Sequence, residues 1–380
     1  MPQRPASWLP RALVVSGRAG PHALAAGWLL AAVLALAGCV STPPREESTD
    51  AETGVFLWPS PPERPRFAHD ATLRSARDVQ ILTDADRLRA ALGGRVEDSG
   101  GFTKAYDVVA QGGQVYVSDT AAAAVHVFDV PRRRYFVLGF RREGALRKPL
   151  GLDLDRRGLL YVADADLQRV VVFDRLGLFQ RFIGDGETLE RPTAVAVTPD
   201  GSRVYVVDTG GVESESHRIV VFDAEGKQVA TIGERGDGLG QLNLPVDAAL
   251  GPDGTLWVLD AGNFRVQAFS PDGRALRAFG SVGTAFGQFA RPKALAVGAD
   301  GNLFVSDGMF GVVQAFDPEG RLLLPIGRPG RRDLPGWWAL PAGVDVDETG
   351  RLYVVDQGFS KVEVLRPIGD EEARRLAAGG

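Results

Sequence analysis

One cysteine, Cys39, in a chain of 380 residues excludes any intramolecular disulfide. An excess of positive charge is also missing: 43 lysines and arginines face 48 acidic residues, a formal charge of −5, which argues against nucleic acid as the main partner. No long hydrophobic run is present either. The uncharged apolar stretch 23–37 falls short of the roughly 20 residues that a spanning helix needs.

That stretch belongs to a leader. Arg4, Arg11 and Arg18 precede it, and Leu36, Ala37, Gly38 and Cys39 close it, an arrangement that resembles a bacterial lipoprotein signal. Small residues at 37 and 38 fit a peptidase, and the Cys39 thiol is the one local nucleophile able to take a diacylglyceryl group. An uncleaved membrane anchor is the alternative. Cleavage after residue 38 would remove three arginines and no acid, leaving 40 basic and 48 acidic side chains, a charge of −8. Residues 39–65 are rich in Pro, Ser, Thr and Glu, cannot bury enough apolar surface to fold alone, and read as a tether. Val40 follows the lipidated position where an aspartate would favour inner-membrane retention. The expected address is therefore the periplasmic face of an outer membrane, held through lipid on Cys39.

Beyond the tether the chain repeats itself. An aromatic residue, a valine, a small or apolar residue and an aspartate recur together, ending at Asp119, Asp164, Asp208, Asp260, Asp307 and Asp356. The gaps by subtraction are 45, 44, 52, 47 and 49 residues, a period that points to a radially repeated fold. Each copy holds four short segments rich in β-branched and aromatic residues; in the second they are PLGLDLD, LLYVAD, RVVVFD and LFQRFIG. Turns such as TPDG, GPDG, SPDG and GADG join them, drawing on 47 glycines and 24 prolines. Four strands per copy make a blade, and six copies predict an all-β, six-bladed β-propeller.

The stretch GERGDGLGQLNLP (233–245), followed by LWVLDAGNFRVQAFSPDG and the pair Phe279 and Gly280, resembles an NHL repeat. GSVGTAFGQFARP (280–292) keeps the same Gly, Gln and Pro register. The resemblance covers roughly residues 102–367, with the first and last copies the most divergent. Some propellers of this kind are enzymes: peptidyl-amidoglycolate lyases hold zinc with several histidines, and gluconolactonase-type propellers bind metal with a carboxylate and an asparagine. Beyond the leader this chain has only His69, His126 and His217, dispersed along it, and only Asn243, Asn263 and Asn302. A metal-dependent lyase or lactonase is thus the alternative reading, and a protein-binding scaffold the preferred one.

The last copy lacks an outer strand, so 66–73 (RFAHDATL) is expected to complete blade six from the N-terminal side and spare the ring an open edge. One short helix is expected at 83–93, where Thr83 or Asp84 can cap and Gly93 stops it. The propeller then spans 66–367 and a polar tail 368–380.

No cofactor is expected. The six repeat aspartates read as residues that satisfy turn amides and pair with a cation five positions on, at Arg169, Arg265 and Lys361. Calcium in the central channel is the alternative, with Asp107, Asp153, Asp247 and Asp345 near the inner strands, although no loop shows calcium-ligand spacing. EDSGG (97–101) mimics a serine-protease loop without the base and acid that a nucleophile requires, and GDGLG without a βα unit is no phosphate cradle.

What remains is a binding rim for an envelope protein. The blade-to-blade loops 141–148, 185–191, 234–244, 281–293 and 328–340 carry eleven basic residues against seven acidic. Arg141, Arg142, Arg147, Lys148, Arg328, Arg331 and Arg332 supply most of the excess. Phe264, Phe310, Phe359, Trp337 and Trp338 lie on loops of the same rim, and exposed aromatics within a basic border suit protein recognition. The competing expectation for the tryptophan pair is that it folds down and plugs the channel.

Overall fold

The computed structural model describes residues 56–80 and 101–378. The leader, Cys39, the first part of the tether and the expected helix at 83–93 lie outside the described residues.

Six antiparallel sheets form the molecule. Two short N-terminal segments come first, β1 (Leu57–Trp58) and β2 (Phe67–Leu73). Blade one holds β3 (Ala105–Gln111), β4 (Gln114–Asp119), β5 (Ala124–Asp129) and β6 (Arg134–Leu138). Blade two holds β7 (Pro149–Leu154), β8 (Leu160–Asp164), β9 (Arg169–Phe173) and β10 (Phe179–Ile183). Blade three follows with β11 (Pro192–Val197), β12 (Arg203–Asp208), β13 (Arg218–Asp223) and β14 (Gln228–Ile232). Blade four is β15 (Pro245–Leu250), β16 (Leu256–Asp260), β17 (Arg265–Phe269) and β18 (Ala275–Phe279). Blade five is β19 (Pro292–Val297), β20 (Leu303–Asp307), β21 (Val312–Phe316) and β22 (Leu322–Ile326). A short parallel pair, β23 (Arg328–Pro329) and β24 (Trp337–Trp338), leads into blade six, β25 (Pro341–Val346), β26 (Leu352–Asp356) and β27 (Lys361–Pro367).

Burial follows strand position. The second and third strands are covered by a neighbouring blade on each face, so they read as continuous apolar runs: β8 is buried from Leu160 to Asp164, and Val170 to Phe173 in β9 likewise. Outer strands face water and turn polar, as in β14, where only Ile232 is buried. The core lies between blades. Tyr161, Val170 and Val172 of blade two, for example, meet Val195, Val204 and Phe222 of blade three.

Inner strands touch around the ring, β25 against β3 included, so the toroid is closed. Their close approach explains Gly151, where a Cβ would come 2.6 Å from the Ala194 Cα, and Gly343, where it would come 2.4 Å from the Asp107 Cα. In every blade the register of the inner pair shifts near the start of the first strand, between Pro192 and Ala194 in blade three and at the matching place elsewhere. The bulge bends the strand where it enters the crowded centre.

Closure occurs at the expected strand. β2 pairs antiparallel with β27, from Phe67 opposite Pro367 to Leu73 opposite Val362. Two neighbouring segments are more ordered than their composition suggested. Within 56–65, read as tether, Leu57 and Trp58 form β1 against Ala68 and Phe67 and are buried, because the outer face of β2 still needs cover. The tail read as merely polar forms helix α1 (Asp370–Ala378), whose Ala373 is buried with Leu57, Ala68 and Ile368, while Arg366 pairs with Glu372 at 2.7 Å. Among the described residues no helix is long and apolar enough to cross a membrane.

Candidate functional site

The repeat aspartates are loop clasps. Each carboxylate, at the end of a second strand, accepts hydrogen bonds from amides where the chain enters its own blade. Asp119 takes Thr103 at 2.6 Å and Lys104 at 3.0 Å, and Asp164 takes Arg147 at 2.7 Å and Lys148 at 3.0 Å. Asp208 takes Glu190 and Arg191, Asp260 takes Asn243, Asp307 takes Ala290 and Arg291, and Asp356 takes Ala339 and Leu340, at 2.6 to 3.1 Å. Burial opposes the charge on Asp119, but contact with His126 and the amide bonds bring its pKa down to about 2. Of the three cations expected to pair with them, only Arg265 does so, 2.7 Å from Asp260. Arg169 lies over the Phe182 ring instead, and Lys361 turns to Glu363 and Asp333. In both cases a closer partner on a neighbouring strand or loop wins.

The channel aspartates are blade-to-blade latches. Asp107 accepts from Leu152 N at 2.8 Å, Asp153 from Val197 N, Asp247 from Leu295 N and Asp345 from Ala110 N, the last three at 2.7 Å. All four have raised pKa values, chiefly through burial. Asp153 is pushed up to about 8 and Asp345 to about 6, while Asp107 and Asp247 rise with mutual repulsion adding to desolvation for Asp107. They line a cavity of about 260 Å³ that opens among the turns at Pro199, Gly251, Pro252 and Gly298. Those turns follow the inner strands, so the mouth faces away from the blade-to-blade loops. Toward the rim the channel narrows between Tyr106, Thr193, Lys293 and Gln357. Among the described residues no three His, Cys, Asp or Glu side chains stand together as a metal-ligand group. The histidines are held locally in three different blades: His69 by Thr72 at 2.9 Å, His126 by the Tyr135 hydroxyl at 2.6 Å, and His217 by the Gly211 carbonyl at 3.1 Å.

The rim gathers the loops after outer strands (139–148, 184–191, 233–244, 280–291, 327–340) and those between second and third strands. Arg141, Arg142, Arg147, Arg331 and Arg332 are exposed there; Lys148 and Arg328 are half-buried, Arg328 lying 5.4 Å over the Trp337 ring. Trp338 is not a rim residue. It is 0% exposed, packs between blades five and six against Trp58, Ile326 and Leu365, and donates its Nε1 proton to Glu363 at 2.9 Å. It fills an inter-blade gap rather than the channel. Phe264, Phe310 and Phe359 are half-buried: Phe264 packs against the core cluster of blades four and five, Phe310 lies against Phe286, and Phe359 lies beneath the Lys361 ammonium at 5.5 Å.

Sequence reasoning missed the side chains that protrude furthest. Seven large apolar residues stand exposed on the rim among the described residues: Phe140, Val212, Leu239, Val282, Phe286, Met309 and Leu334. Only Val130, Leu176 and Leu178 do so on the opposite face. Leu239 and Phe286 occupy the same register, two residues before the glutamine of each G-Q motif, and that correspondence was available as a signal. The polar residue midway along the third strands was a second one. Gln267 accepts from Gly240 N at 2.9 Å, Gln314 from Gly287 N at 2.7 Å and Glu363 from Gly336 N at 2.6 Å, each fixing the loop that leads into its blade.

Fold and repeat chemistry together define a six-bladed β-propeller bearing an NHL repeat. The family model for the NHL repeat matches residues 242–269, from the end of one rim loop through the third strand of blade four. Over 88 residues the chain is 35% identical to the E3 ubiquitin-protein ligase NHLRC1 of Rattus norvegicus, a match that covers 23% of this chain and 21% of that protein; the Mus musculus protein matches at the same identity and length, over 20% of its chain. The chain thus spans about a fifth of the length of these curated relatives. Among solved structures, a gluconolactonase from Xanthomonas campestris superposes with a TM-score of 0.54 at 20% identity, over 79% of this chain and 98% of that one. A streptogramin B lyase gives 0.52 at 14% identity, over 70% and 94%. Both likenesses are likenesses of fold.

Proposed function

We propose that this protein is a binding module rather than a catalyst: a propeller anchored through lipid on Cys39 in a bacterial envelope that engages a protein partner with its rim. The observation that carries the reading is the crowding of exposed apolar tips onto one face. Single exposed apolar residues are ordinary on a soluble protein, but seven on one face, set among arginines, suit a recognition surface. The channel groups are occupied in holding blades together, which leaves the rim as the surface with chemistry to spare.

The anchor is tested by Cys39→Ala. The parent is expected to lose residues 1–38 and to gain the mass of a diacylglyceryl group, and the variant to keep its leader and gain none; identical processing and mass by mass spectrometry would sink the anchor. The rim is tested by Phe140→Ser with Phe286→Ser, which leave the core untouched. Recovery of crosslinked envelope partner from intact cells should fall, and unchanged recovery would sink the rim reading.

A further inference from the structure

We propose that the rim's partner is an acidic protein segment carrying apolar side chains, and that it docks on the blade five sector, across loops 280–291, 308–311 and 327–340. This rests on the reading of the rim as a protein-binding surface and narrows it to one place and one partner chemistry.

Exposure is concentrated there. Val282, Phe286 and Met309 are 64%, 56% and 65% exposed, and Phe286 lies against Phe310 in a tilted pair with ring centroids 6.3 Å apart. The surface continues sideways without a gap: at Gly311 a Cβ would come 2.6 Å from the Pro329 Cα, and Arg328, beside Pro329, covers Trp337. Aromatic, methionine and arginine side chains in one patch are the composition of interface centres.

The apolar tips are also held rigidly. Gly283 N bonds to Phe289 O, Phe289 N to Ser281 O, Gly287 N to the Gln314 amide oxygen, and the Gln314 amide nitrogen to Gln288 O. Loop 327–340 is pinned by Glu363, which takes Gly336 N and Trp338 Nε1, and by Lys361, which donates to Leu334 O. A loop that spends its hydrogen bonds on holding Phe286 in water has no rearrangement left by which to bury it. Binding there would cost little loop ordering.

Charge selects the partner. Asp333, the one acid in loop 327–340, is engaged by Arg74 at 2.6 Å and Lys361 at 3.1 Å. The exposed Arg291, Arg331 and Arg332 therefore set the field that a partner meets. A membrane surface fits less well. The same rim carries Asp185, Glu187, Glu213 and Glu215 on the blade three side, which an anionic bilayer would repel.

The test uses full-length protein in detergent and a fluorescein-labelled peptide pool alternating glutamate with phenylalanine or leucine, read by anisotropy. Binding is expected, weakening with added salt, and at least about tenfold weaker after Phe286→Ser with Met309→Ser or after Arg331→Glu with Arg332→Glu. A pool with lysine in place of glutamate should not bind. No binding of the acidic pool by the parent overturns the proposal, as does equal binding by parent and variants. If Arg141→Glu with Arg142→Glu weakens binding while the blade five variants do not, the sector is wrong and the rim reading stands. If the blade five changes instead weaken binding of a soluble short-chain phosphatidylglycerol without affecting peptide, the sector belongs to lipid and the proposal is lost.

Discussion

The Asp345 carboxylate, on the innermost strand of the last blade, accepts a hydrogen bond from the Ala110 amide of the first at 2.7 Å. It thereby repeats across the closure the latch that Asp107, Asp153 and Asp247 make between earlier blades. Ring closure has two parts, this inner bond and the outer pairing of β2 with β27.

These latches predict an unusual pH response. Folding raises the pKa of Asp153 to about 8 and of Asp345 to about 6, above their ordinary values, so folding favours the neutral form. Their stabilising contribution is complete below the unfolded value of about 4 and is withdrawn as pH rises through about 6 and then about 8. The melting temperature should therefore fall between those pH values. Asp153→Asn with Asp345→Asn should lessen that fall, since asparagine keeps one amide bond at each site without a charge, while Asp247, at about 7, and the raised Asp107 retain part of it. Calorimetry showing the parent's slope in the double variant would refute the assignment.

Outer closure is tested at Ala68, which is 0% exposed between β1 and β27. Ala68→Trp overpacks that site, against Leu57, Ile368 and Ala373, and should destabilise the fold by about 1 to 3 kcal/mol. Hydrogen exchange should quicken first in β27. Exchange that quickens uniformly around the ring would mean that β2 is not the seal.

Neighbouring tryptophans should behave oppositely. Trp338→Ala empties a packed inter-blade site and frees Glu363, with an expected cost of about 3 to 5 kcal/mol. Trp337→Ala, half-buried beneath Arg328, should cost less, about 1 kcal/mol. Denaturant titration of the two variants reads the difference directly.

Gln314→Leu removes the side chain that satisfies both Gly287 N–H and Gln288 C=O. The expected cost is about 1 to 3 kcal/mol, with faster exchange confined to 280–291. Gln267→Leu should act in the same way on 233–244. A loss spread over the whole ring would show that these residues are general core members rather than loop clamps.

Much of this was legible in the chain. The aspartate period gave the number of blades, and the missing outer strand of the last copy pointed to 66–73, because a sheet edge must be paired and few segments could do it. The aspartates' clasping role was legible too, since the turn amides they bind lie within 18 residues. The cation partners were read less well, because Arg169 had a competitor on the adjacent strand and Lys361 had two, on its own strand and on the loop before it. The latches were hidden: Asp247 and Leu295 are 48 residues apart, and Asp345 and Ala110 are 235 apart.

The amino-acid order by itself determined a repeated sheet with apolar middle strands, polar outer strands and turns at fixed offsets, because these follow from local propensity and from the period at which apolar residues recur. Only the tertiary structure decided which of Trp337 and Trp338 meets water, which way the channel opens and which loop tips stand clear. Those outcomes depend on what a neighbouring blade places against a residue, and adjacency around a ring is not written within any one repeat.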